Sequence, residues 1–153
     1  MRKTYLFIVA LCCVFFSEAQ TYEYQVITSV ESIIPSGAGR SRLISTNEAR
    51  NYQDFTSERT DGKKTKDKRN NSDRSEIRVK NFEETKLLNF FNIAGIRFQN
   101  IAANDAVITS KINTMSSDGW ELAFVTSAVE SDAGKDDGKG IFITRYIFKK
   151  LKE

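Results

Sequence analysis

The chain has 153 residues, with 23 Lys and Arg against 20 Asp and Glu, a formal charge of +3 that argues neither for nor against an anionic partner. It has no histidine, and its two cysteines, Cys12 and Cys13, both lie near the start. Beyond them the chain lacks the side chains that carry most nucleophilic, general-base and transition-metal chemistry near neutral pH.

Arg2 and Lys3 precede an apolar run from Tyr5 to Phe16, and Ser17-Glu18-Ala19 follows with small residues at the spacing signal peptidase reads. This predicts a signal peptide over 1–19, cut before Gln20, and an exported protein, periplasmic or extracellular. Cys12 follows Leu11 and Cys13 follows Cys12, which argues against a lipid-modified cysteine. The run is too short for the roughly twenty apolar residues of a spanning helix, so no stable membrane insertion is expected. Cleavage would leave 20–153 as a single domain without cysteine, stabilised by packing alone. Removing Arg2, Lys3 and Glu18 takes the basic residues from 23 to 21 and the acidic from 20 to 19, a charge of +2. Eleven Phe, five Tyr and one Trp against one Pro suit a sheet-rich fold.

The segment 22–30 alternates as a first strand. Tyr22, Tyr24, Val26 and Val30 fall on one face, and Glu23, Gln25, Ser29 and Glu31 on the other. Pro35-Ser36-Gly37-Ala38-Gly39 reads as a turn, and a short second strand is centred on Leu43 and Ile44. From about 47 to 78 the chain becomes polar, and no apolar residue occurs between Glu58 and Arg74. Such a stretch cannot bury enough surface to offset its ordering entropy, which predicts a mobile insertion. Ile77 and Val79 read as the start of a return strand, and 82–98 as a short helix followed by an extended piece. Asn104 is the expected N-cap of a helix over 103–117, with Ile108, Ile112 and Met115 at helical spacing. Gly119 stops it. Strands follow at 120–125, with Trp120, Leu122 and Phe124 on one face, and at 141–148, apolar on both faces. A strand of the latter kind lies mid-sheet with cover on each side, or lends a face to a partner.

This order, with Tyr22-Glu23-Tyr24-Gln25-Val26, Gly119-Trp120-Glu121-Leu122 and the closing Tyr146-Ile147-Phe148-Lys149-Lys150, resembles the bacterial family known as domain of unknown function 4177. The resemblance covers about 22–32 and 104–150. It implies an α+β fold, a small antiparallel sheet of about four strands on one main helix, here with the long polar insertion. It implies no activity and no catalytic residues.

Three functions stand open. The two-faced final strand and the aromatic surplus point to a non-catalytic domain that binds another protein or forms a homo-oligomer. Asp132, Asp136 and Asp137, in a loop at 130–140 that also holds three glycines, offer hard oxygens to a cation such as calcium, though Lys135 and Lys139 offset two charges. Glu83, Glu84, Asp118, Glu121 and Asp132 are available to a carboxylate-dependent hydrolase of envelope polysaccharide. The basic run 63–69 has no aromatic neighbour on which bases could stack, so no nucleic-acid partner is expected. No cofactor is expected. Gly119 to Leu122 reads as a capped helix feeding a strand, with Trp120 against the core and Glu121 on the wetter face.

Overall fold

The computed structural model describes residues 20–32, 41–58, 72–92, 94–130 and 140–152. Two eleven-residue strands, β1 (Tyr22–Ser32) and β7 (Ile141–Leu151), pair antiparallel along their whole length, from Tyr22 opposite Leu151 to Ser32 opposite Ile141. β2 (Arg42–Ser45) adds to the far side of β1, and β3 (Glu83–Lys86) adds to β2. β6 (Glu121–Glu130) adds to the other side of β7. The sheet therefore has five antiparallel strands in the order β3-β2-β1-β7-β6, where the sequence suggested about four. A turn of 3-10 helix spans Tyr52–Phe55, and α1 (Arg74–Ile77) is a single turn. β4 (Phe91–Asn92) and β5 (Gly95–Ile96) form a separate hairpin ahead of the main helix, α2 (Phe98–Ser117). The fold is α+β, as expected.

α2 covers one face of the sheet. Its Ile108 and Met115 close a core with Ile27, Leu43, Leu87 and Phe148, and Val107, Ile112, Trp120 and Tyr146 pack around it. Phe148 is 1% exposed. Burial on this scale stabilises by about 2–3 kcal/mol per large side chain. The spacing of Ile108, Ile112 and Met115 is the one the sequence displays.

Other expectations change. α2 begins at Phe98 rather than at 103, and Asn104 lies buried inside it instead of capping it. Its Oδ1 accepts the Leu88 N–H at 2.7 Å, and its Nδ2 donates to the Leu88 carbonyl at 2.7 Å and to Glu31 Oε1 at 2.9 Å. The amide side chain serves the backbone of the segment entering the hairpin, a partner sixteen residues away that helix-end patterns do not reveal. Among the described residues of 82–98 no short helix forms before α2. Glu83 to Lys86 is a strand instead, and Ile77, expected in a return strand, ends α1.

β1 turns its faces the opposite way from its apolar count. Ile27 and Ser29 lie under α2, on the face with Glu23, Gln25 and Glu31, while Tyr24 is 64% exposed on the other. A helix laid over the centre of a sheet meets only a few side chains. There the buried Ile27 and Leu43, with the small Ser29 and Ser45, admit it closely.

The two ends of the polar insertion are tied together. Glu48 accepts the Asn81 N–H at 2.8 Å, Arg50 donates to the Arg78 carbonyl at 2.9 Å, and Ser72 Oγ to the Asp54 carbonyl at 2.9 Å. The expected signal peptide at 1–19, the expected turn at 35–39 and the basic run 63–69 lie outside the described residues.

Candidate interaction edge

The Gly119-Trp120-Glu121-Leu122 segment sets where β6 begins. Gly119 has φ of +84°, the left-handed conformation that favours glycine. Its N–H reaches the Ser116 carbonyl at 3.0 Å, and the Trp120 N–H reaches the Met115 carbonyl at 3.0 Å. This paired closure ends the helix with its last carbonyls satisfied, and Trp120 packs back on the core that holds Met115. Lys150 Nζ donates to the Asp118 carbonyl at 3.0 Å, adding a cation at the negative end of the helix. A Cβ on Gly119 would lie 3.4 Å from Lys150 Cε. Glu121 is exposed and pairs with Lys149 at 3.3 Å, and the Lys149 ammonium sits 5.2 Å from the Tyr22 ring centre. Gly119, Trp120 and Glu121 thus each have a structural partner.

From there β6 runs ten residues along the sheet's outer edge, and all ten are exposed. Among the described residues only β7 pairs with it. Among the described residues its outward N–H and C=O groups therefore meet no strand, which makes them a template for another one. Glu121 and Glu130 stand at its ends, and the eight residues between them, 122–129, are uncharged and contain neither Pro nor Gly. A bulge between Leu122 and Phe124 divides the strand's apolar side chains. Leu122 and Val125 stand opposite Phe148 and Tyr146, on the side of α2, while Phe124 stands opposite Ile147 on the open face. The sequence alternation placed Leu122 and Phe124 together, and the bulge separates them. It also stopped the strand at 125, although Thr126 to Glu130 continue it. Pairing with an eleven-residue β7 supplies what the weak Thr-Ser-Ala-Val pattern does not.

The open face continues this edge inward. Phe124 (61% exposed), Ile147, Val26 and Tyr24 share it, with Ile143 and Val30 further along. A second exposed apolar group lies at the hairpin and the start of α2, where Leu88, Ile96 and Phe98 are all solvent-facing.

The opposite edge differs in kind. β3 is four residues long and three of them, Glu83, Glu84 and Lys86, are charged. Glu83 accepts Lys111 Nζ at 2.6 Å and Ser45 Oγ at 2.8 Å, and Glu84 pairs with Arg42. Lys111 and Ser45 hold the Glu83 carboxyl below its ordinary range. Glu48, which lines a groove with Glu83, is also held low, chiefly by the Asn81 N–H. A glycosidase-type pair needs one carboxyl raised so that it can deliver a proton. These two are both lowered and serve as acceptors.

Asp132, Asp136 and Asp137 lie outside the described residues. Among the described residues no group of three or more Asp and Glu is gathered as a metal site, and no helix is long and apolar enough to cross a membrane. No protein-family model, curated protein or solved structure matches the chain.

Proposed function

We propose that this protein is a non-catalytic exported domain whose work is association with another protein chain or with itself. One observation supports this reading above the rest. A ten-residue edge strand with an uncharged centre is exposed on all its residues, beside an open apolar face. Sheets that avoid association shorten or charge their edges, as β3 does here. Surfaces that keep both a free ladder and exposed aromatics recognise partners by strand addition, with the main chain giving affinity and alternate side chains giving specificity. The likeness to the domain of unknown function 4177 family is part of the same proposal and brings no activity with it.

The test is affinity capture with the purified protein as bait, from envelope extract and culture medium of the producing organism. The expected result is a protein retained by the parent chain and lost from Val125→Lys, which places a charge in the middle of the edge. Capture that is empty, or unchanged by the substitution, from a protein that is also monomeric in solution would overturn the proposal.

A further inference from the structure

The association reading leaves the occupant of the edge open, and the strand's own sequence restricts it. We infer that β6 pairs with β6 of a second copy, antiparallel about a two-fold axis through Ser127, joining two five-stranded sheets into one continuous sheet. This rests on the proposed function and names its partner.

The register follows from three features. Antiparallel neighbours on a sheet share a face, so a two-fold axis normal to the sheet must pass where a residue meets its own copy. The bulge between Leu122 and Phe124 breaks the ladder, so a regular pairing has to begin at Phe124. The strand ends at Glu130, and Ser127 is midway between those limits. With Ser127 on the axis, the whole bulge-free stretch 124–130 is paired. Moving the axis back to Thr126 brings Glu130 of one copy to the bulge of the other, beside Glu121, where two carboxylates would face each other. Moving it on to Ala128 shortens the pairing to 126–130.

The side chains agree with that register. Val125 comes opposite Val129 of the partner subunit, and by symmetry the contact occurs twice. Val125 and Val129 stand opposite Tyr146 and Phe142 within their own sheet, so each valine contact is flanked by an aromatic ring on the α2 side. Val125, Val129 and Phe142 are all exposed in the single chain, and pairing would cover part of each. On the open face Thr126 comes opposite Ala128 of the partner subunit and Phe124 opposite Glu130 of the partner subunit, so no like charges meet. Beta-branched and aromatic neighbours are the cross-strand combinations that stabilise sheets. Both α2 helices would lie on one side of the joined sheet.

Sedimentation equilibrium on the purified protein from about 1 to 100 micromolar tests the inference. The expected result is a monomer–dimer equilibrium for the parent chain and at least a ~10-fold weaker dimer for Val125→Lys, with the circular dichroism spectrum retained. Ser127→Cys should form a disulfide-linked dimer on oxidation well beyond the parent's own level, because the two sulfurs meet at the axis. Thr126→Cys should not, since it faces Ala128 of the partner subunit. A protein that stays monomeric throughout overturns the inference. So does a dimer untouched by Val125→Lys, or equal crosslinking at 126 and 127. If a monomer still captures a different protein through β6, the association reading stands and only the second copy is wrong. If it captures nothing, both fall.

Discussion

The two edges of this sheet solve the same problem in opposite ways. β3 is short, charged, and tied to the body of the domain, with Lys111 of α2 on Glu83 and Asn104 of α2 on the Leu88 backbone just beyond it. β6 is long and uncharged in its centre, and it is held by β7 along one side and by the Gly119 closure at its start. Such a difference separates a boundary from a contact surface. Substitutions near β3 should therefore cost stability, whereas those in the middle of β6 should cost association.

The largest expected effect is at Leu87, which is 3% exposed and fixes the chain just after β3. Leu87→Ala should lower the unfolding free energy by about 2–5 kcal/mol in urea titration. Asn104→Ala comes next. It leaves the Leu88 N–H and carbonyl without their 2.7 Å partners and should cost about 2–3 kcal/mol, with faster amide exchange at Leu88 than at β7. At the start of β6, Gly119→Ala forces alanine to φ of +84°, for roughly 1–2 kcal/mol in the same titration.

Smaller still is the Glu83–Lys111 pair. Its folded pKa is depressed, so its contribution is present above the ordinary value of 4.5 and is lost as pH falls through the lowered one. Glu83 is well exposed, which keeps the contribution under about 1 kcal/mol. Lys111→Ala should accordingly lower the melting temperature slightly near pH 7 and leave it little changed at the acid end, where Glu83 is protonated. The acid limb of a plot of melting temperature against pH should therefore flatten. Val125→Lys should have the least effect on the fold, within about 0.5 kcal/mol, because the side chain is solvent-facing. A loss of several kcal/mol there would erase the contrast between the edges.

What was legible in the sequence was the part governed by local chemistry. The helical spacing of Ile108, Ile112 and Met115, the stop at Gly119, and the strands around 22–30 and 141–148 all stand in the structure. The illegible part depended on partners distant in sequence. Asn104 looks like a cap because a polar amide before an apolar run usually is one, yet its partner is Leu88. Glu83 to Lys86 has no apolar face to announce a strand, and it exists because Arg42 to Ser45 offers a free ladder. Tyr24 and Val26 look like core and are exposed, because α2 settled over Ile27 and Ser29. For the candidate site, the aromatic surplus hinted at a contact surface. The bulge and the last five residues of β6 arise from its pairing with β7 and carry no local signal.

Amide hydrogen exchange measured at two protein concentrations tests the contrast most directly. Amides in 124–130 should exchange more slowly in the concentrated sample, while those in 83–86 and in β1 stay unchanged. Protection at β6 that ignores concentration, or that rises equally at β3, would contradict the assignment of β6 as the associating edge.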